Sequence, residues 1–148
     1  MSEKIIRIEL SQRQDYRFDI AFGADIPGLT SDEPVPLGTG LGPSPVQMLC
    51  AAVGNCLSDS LLFAFRKFKQ VPDPISCVVT AEIGRNEENR LRVLKMNAQI
   101  RMGALASSLE HVDHVLAQFE EFCTVTQSVR QGIPVTIEVF DGAGQQLK

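Results

Sequence analysis

Four cysteines in 148 residues are too few for a secreted disulfide scaffold, and Cys50, Cys56, Cys77 and Cys123 all sit in apolar settings. No CxxC pair occurs among them, nor any phosphate-cradling glycine loop or serine nucleophile elbow. Two histidines, His111 and His114, flank Asp113. They fall on the polar face of an amphipathic pattern with no third ligand at suitable spacing, which describes a solvated helix face rather than a metal site. The net charge of -4, spread over both signs, leaves no basic footprint for nucleic acid. Internal repeats and low-complexity segments are absent. Glu3-Lys4-Ile5-Ile6-Arg7 enters a strand pattern at once instead of a signal-peptide pattern, so a cytoplasmic protein with reduced thiols is expected.

What is present is apolar: 44% of the residues are hydrophobic, enough for one domain over residues 1–148 with a sizeable core. The most apolar stretch runs from Gly40 to Gln70. Gly42-Pro43-Ser44-Pro45 bars an earlier helix, Ser44 can cap, and Pro45 suits the first helical position. Val46 to Phe65 then continues almost without charge until Arg66, Lys67 and Lys69 arrive where cations suit a helix C-terminus. Gln47, Asn55, Ser58, Asp59 and Ser60 interrupt it, so a core helix is expected rather than a membrane span.

The rest of the chain supplies walls. Lys4–Leu10 and Tyr16–Phe22 alternate as two strands around a polar turn at 11–15. Residues 23–42 read as a long loop, functional or a surface strap. After Pro72-Asp73-Pro74, Ile75–Ile83 and Leu94–Met102 form the clearest hairpin. Ser107 and Glu110 make a capping box for an amphipathic helix through Phe122. Another helical turn at 128–131 closes on Gly132, and Ile133, Val135, Ile137 and Val139 alternate in a last strand. Two strands, loop, long helix, two strands, helix, strand is an α+β order. So few strands cannot cover Val46–Phe65 on every side, so a homodimer is expected.

A cysteine in such a chain is most often a buried small hydrophobe. Cys77, in line with Ile75 and Val79, fits that description. Cys50 does too, and it faces about 240° away from Cys56 on an ideal helix. Cys56 follows Gly54-Asn55, a pair able to interrupt the helix. If Asn55 caps a fresh segment, backbone N–H groups favour the Cys56 thiolate, while Asp59 opposes it. Cys123 lies where a helical pattern ends, beside Thr124 and Thr126.

Gly42-Pro43-Ser44-Pro45, then Leu49, Ala51-Ala52, Gly54 and Cys56, resembles the central-helix motif of the OsmC/Ohr family, the osmotically induced and organic-hydroperoxide-resistance proteins. Cys123 through Ser128, followed by Gly132-Ile133-Pro134-Val135, resembles the second family motif. The resemblance covers essentially the whole chain. It implies an OsmC-like fold, an intertwined homodimer with the long helices sandwiched between sheets. It also implies a thiol peroxidase acting on organic hydroperoxides without metal, haem or other cofactor. In that scheme Cys56 attacks the peroxide and becomes a sulfenic acid, Cys123 condenses with it to a disulfide, and an external dithiol, such as a lipoyl-bearing protein, reduces the disulfide.

The sequence departs from the family pattern at three points. Val46 stands where the peroxidases carry a glutamate that orients an arginine over the thiol, with uncharged Gln47 beside it. Thr124 replaces the usual proline after the second cysteine. The arginine itself comes from the N-terminal hairpin, where Arg13 and Arg17 are the candidates for stabilising the thiolate. The pocket is expected to be lined by Val46, Gln47, Leu49, Phe63 and Phe122. A slower peroxidase than an Ohr-type member follows. The reading of a different kind is a non-enzymatic dimer that binds a small apolar ligand and uses Cys56 only as pocket lining.

Overall fold

The computed structural model describes residues 3–148, and among them it is α+β, with antiparallel strands and one long helix. Strand β1 spans Glu9–Gln14 and β2 spans Arg17–Ala21, paired from Glu9↔Ala21 to Gln14↔Arg17 with an irregularity near Arg13. The hairpin therefore sits later than its alternation suggested. Ser11–Gln14 is strand, residues 3–8 are not, and the turn is only Asp15-Tyr16. Asp15 takes the left-handed φ of 52°, a conformation Asp tolerates better than most residues. The Gln12 side chain secures the turn by donating to the Asp15 carbonyl at 2.9 Å. The polarity that looked like a turn belongs to an exposed strand. A short β3, Leu29–Ser31, lies inside the expected loop and pairs with β2 through Phe18↔Ser31 and Ile20↔Leu29.

Helix α1 spans Pro45–Lys67. The Ser44 N–H donates to Gln47 Oε1 at 2.9 Å, and the Gln47 N–H donates to Ser44 Oγ at 3.3 Å. This reciprocal capping box satisfies two orphan donors and fixes where the helix begins. The helix runs unbroken through Gly54-Asn55, so no fresh segment starts at Asn55. Gly54 answers a packing need instead: a Cβ there would lie 2.6 Å from Val79 Cγ2 and 3.4 Å from Cys77 Sγ. By length and composition α1 could cross a membrane. Its residues Val53, Leu57, Leu61 and Phe65 are buried within the fold.

Strands β4 (Ser76–Arg85) and β5 (Leu91–Arg101) form the expected hairpin. Asn86 Oδ1 closes its turn by accepting the Glu88 and Arg90 N–H groups, each at 3.0 Å. The capping box at Ser107/Glu110 does not form. Ala106–Ser108 is a 3-10 turn, and the Glu110 N–H instead donates to Gln70 Oε1 at 2.9 Å. Helix α2 begins only at Val112, after His111 at φ 62°, and ends at Gln118. Phe119–Phe122 is again 3-10, and α3 spans Thr124–Gln131, closed by Gly132 at φ 77°. Residues 133–139 belong to no strand among the described residues; the tail folds back on itself at the Phe140↔Gln146 bridge, where the Leu147 N–H donates to the Val139 carbonyl at 2.7 Å. Ile133, Val135 and Ile137 lie in no strand among the described residues, and Val135 is 76% exposed.

The chain resolves into two compact units. The first holds the residues up to Asn55 together with Cys77–Ile100, and Ile20 and Val53 are buried there. The second holds Cys56–Ser76 and Arg101–Lys148, with Phe65, Val115 and Cys123 among its fully buried side chains.

Candidate functional site

Two cysteines distant in sequence meet in the second unit. Cys56 opens the fourth turn of α1, and Cys123 is the residue that precedes α3 at its N-cap. The Val125 N–H, in the first turn of α3, donates to Cys56 Sγ at 3.5 Å. Cys123 Sγ lies 3.0 Å from Thr126 Oγ1, and the two thiols are hydrogen-bonded to each other. Donors for Cys56 thus come from the N-terminus of α3, not from a break in its own helix. An N-terminal turn offers unpaired N–H groups to whatever anion lies before it.

The two sulfurs are not equivalent. Burial pushes the Cys56 thiol up, and Cys123 beside it adds to that rise, against the Val125 and Thr126 N–H groups. Burial also pushes Cys123 up. The Thr126 hydroxyl, the Cys56 thiol, the Thr126 N–H and the Ser60 hydroxyl more than offset it, so Cys123 falls below the ordinary thiol value. The pair is therefore asymmetric, with Cys123 the readier of the two to give up its proton. Access runs the other way: Cys123 is 0% exposed, whereas Cys56 is only half-buried. Thr126, already marked in the sequence beside Cys123, and Ser60, which was not, lie one helical turn from Cys123 and Cys56 and are polar partners of the pair.

The arginines of the N-terminal hairpin are engaged within the first unit. Arg13 Nη1 donates to Asp19 Oδ2 at 2.8 Å. Arg17 Nη2 donates to Thr39 Oγ1 at 3.0 Å, and its Nε stands 3.9 Å from Asp32 Oδ2. Asp32, missed from sequence because it lies in a loop without periodicity, is 2% exposed. It accepts from the Glu33 N–H at 2.8 Å, the Thr39 N–H at 3.3 Å, the Leu41 N–H at 3.2 Å and the Thr39 hydroxyl. The Thr39 hydroxyl and these amides, against the cost of burial, hold its pKa down to about 2. The loop expected over 23–42 is thus gathered around one carboxylate.

Of the expected pocket residues, Phe63 and Phe122 line one shallow groove of about 50 Å³ in the second unit. Val46, Gln47 and Leu49 lie in the first two turns of α1 and do not line it, and the Gln47 side chain is committed to capping. Cys50 and Cys77 carry free thiols in the first unit. His111 stacks on Phe68 with centroids 4.3 Å apart, and His114 meets the same ring edge-on at 5.6 Å. Among the described residues no group of three or more His, Cys, Asp or Glu is placed to hold a metal ion.

The arrangement has solved counterparts. A Psychrobacter arcticus protein assigned to osmotic stress and the detoxification response superposes with a TM-score of 0.72 at 16% identity, covering 86% of this chain and 90% of that one. An organic hydroperoxide resistance protein of Legionella pneumophila gives 0.67 at 14% identity, covering 88% and 92%. The organic hydroperoxide resistance protein OhrB of Bacillus subtilis gives 0.66 at 14%, covering 90% and 96%. At these identities the likeness is one of fold. No curated protein sequence matches the chain. The sequence model described as OsmC-like protein matches residues 38–138, which is more than half of the chain and includes both Cys56 and Cys123. That span, on this fold, makes the chain a member of the OsmC-like protein family.

Proposed function

We propose that this protein is a thiol-dependent peroxidase that reduces organic hydroperoxides in oxidative stress defence. The observation that carries the reading is the pair itself: a reachable thiol and a buried thiol with a lowered pKa, side by side before the first turn of α3. Fold neighbours named for organic hydroperoxide resistance support it.

The chemistry follows from the asymmetry. Cys56, the sulfur a substrate can reach, attacks the terminal peroxide oxygen after losing its proton. An S–O bond forms, the O–O bond breaks, and the alkoxide leaves and is protonated to the alcohol. Two electrons pass from sulfur to peroxide, leaving a sulfenic acid on Cys56. Cys123, the more readily ionised thiol, loses its proton and attacks that sulfur; the S–S bond forms, the S–O bond breaks, and hydroxide leaves with a proton as water. An external dithiol, of the kind borne by a lipoyl protein, then reduces the disulfide by two exchange steps. The scheme calls for no metal and no haem. Apolar surroundings favour organic hydroperoxides over hydrogen peroxide.

A second copy belongs to the same reading. A third of the most apolar window of α1 is buried within one chain. Exposed Ala51 and Ala52 would let another helix approach closely, and residues 133–139 would gain a strand partner. The homodimer and a cytoplasmic location are expected together. The test is steady-state consumption of an organic hydroperoxide with dihydrolipoamide as reductant. Wild type should turn over, and Cys56→Ser should lose about a thousandfold. Equal consumption by Cys56→Ser would show that this sulfur does no chemistry and favour the ligand-binding alternative.

A further inference from the structure

We infer that Gln127 is the positioning residue of the resolving thiol: by holding the backbone around Cys123 it decides whether a sulfenic acid on Cys56 closes to the disulfide or is oxidised further. This deepens the peroxidase reading above and rests on it for the second of those fates.

Cys123 is the point at which its segment can bend. With φ -82° and ψ 98° it is a single extended residue between the 3-10 turn Phe119–Phe122 and α3. Rotation about its two soft dihedrals would swing one turn against the other and carry the sulfur with it. Yet the sulfur has little distance to travel, from hydrogen-bonding range of Cys56 to a bond of about 2.05 Å. A hinge placed there has to be held.

Gln127 closes a ring around the hinge. The Cys123 N–H donates to the Glu120 carbonyl at 3.1 Å, and the Gln127 N–H donates to the Cys123 carbonyl at 3.0 Å. The Gln127 side chain completes the ring, its Nε2 donating to the same Glu120 carbonyl at 3.0 Å. Both backbone groups of Cys123 are thereby held, and one side chain ties together the two turns that flank it. Outside the ring, Arg130 Nη2 donates to Glu120 Oε1 at 2.7 Å. That pair is about half exposed, so it adds little by itself. Besides burial, the groups that shift the two thiols are each other, Val125, Thr126 and Ser60. Gln127 acts instead on where the Cys123 sulfur stands, and a reaction between two held groups is steep in their placement.

Two fates then compete for the sulfenic acid. Attack by Cys123 forms the S–S bond and expels the oxygen as water. Alternatively the Cys56 sulfur attacks a second hydroperoxide: another S–O bond forms, the O–O bond breaks, and a second alcohol leaves. Two more electrons pass to peroxide, and the product is a sulfinic acid that a dithiol does not reduce. Only the first fate depends on Cys123.

The test compares wild type, Gln127→Met and Gln127→Lys as full-length proteins. All three side chains are unbranched and good helix formers, so α3 should survive, and lysine alone of the replacements restores a donor. In single turnover with cumene hydroperoxide, oxidation of Cys56 should stay within about twofold in Gln127→Met. Disulfide formation should slow about fivefold, the size of one net hydrogen bond. The pH midpoint of that second step should not move, the mark of position rather than charge. Under excess hydroperoxide, sulfinic acid on Cys56 should build up about fivefold faster per turnover. Gln127→Ala should behave as Gln127→Met, Gln127→Lys should recover most of the wild-type rate, and Arg130→Met should cost about twofold at most. Disulfide formation at the wild-type rate in Gln127→Met, or a slowed one whose pH midpoint has moved, would overturn the inference. A peroxide-free arm separates it from the peroxidase reading. Dithiodipyridine places a pyridylthio group on Cys56 and releases one thiopyridone; attack by Cys123 on the Cys56 sulfur then releases the second. Decay of that Cys56 adduct, followed by rapid-quench mass mapping, should slow by the same factor in Gln127→Met. Such slowing in a protein that consumes no hydroperoxide would support the role of Gln127 and overturn the peroxidase. Hydroperoxide consumption with adduct decay indifferent to Gln127 would do the reverse.

Discussion

Asp32 and the Cys56–Cys123 pair are both polar sites withdrawn from water, and the chain satisfies them in opposite ways. Asp32 receives three backbone N–H groups and a hydroxyl, with the Arg17 guanidinium nearby. A carboxylate with that many donors is a stable anion, and its role is to hold a loop. The two sulfurs have only a few weak partners, and one of them stays within reach of solvent. An anion that is saturated with partners stays put. One that is incompletely satisfied, next to a reachable thiol, is prepared to react.

The largest effect expected from breaking this contrast is on turnover. Cys123→Ser should reduce about one equivalent of hydroperoxide and then stop, because the sulfenic acid on Cys56 has no resolving thiol. Steady-state rates with dihydrolipoamide should fall on the order of a hundredfold or more, and stopped-flow and steady-state assays together would check it. The same variant carries a signed expectation for pH. Cys123 helps push the Cys56 thiol up, so removing its thiol should lower the pH midpoint of Cys56 alkylation. An upward movement would mean that Cys123 does not oppose ionisation of Cys56.

Asp32 should answer in stability. Asp32→Ala leaves several donors unpaired and should lower Tm on the order of 10 °C. With a folded pKa of about 2, below the ordinary carboxylate value, the contribution of Asp32 is present above about pH 4. It is lost as pH falls through that value toward about 2. Acid unfolding of wild type against Asp32→Asn, which has no charge to lose, would isolate the difference.

Thr126→Val sharpens the comparison from the other side. It removes the hydroxyl that most favours the Cys123 anion and should slow disulfide formation roughly tenfold with little change in the first step. Rapid-quench thiol counting separates the two. The smallest effect is expected from Val46→Glu. Arg13 and Arg17 already have partners in Asp19, Thr39 and Asp32, so a restored carboxylate should change kcat/KM within about twofold.

Local periodicity carried much of the fold. The apolar run into Lys67, opened by Ser44-Pro45, and the alternation of β4 and β5 are each written in a short window. What was not legible depended on partners elsewhere. Ser11–Gln14 is polar because its strand is exposed. The Glu110 N–H prefers the distant Gln70 side chain to a local capping box. Gly54 looked like a breaker and is a contact point for Val79. The apolar alternation of 133–139 forms no strand among the described residues. In the site, both cysteines were marked by sequence. Asp32, Ser60 and the α3 donors acquire meaning only through the fold.

The most direct measurement is mass mapping of all four cysteines after one equivalent of an organic hydroperoxide, with differential alkylation of the remaining thiols. The account predicts loss of two thiols, a Cys56–Cys123 disulfide, and Cys50 and Cys77 unmodified. In Cys123→Ser it predicts a sulfenic acid trapped on Cys56. Four intact thiols, or a first oxidation at Cys123 in Cys56→Ser at the wild-type rate, would contradict it.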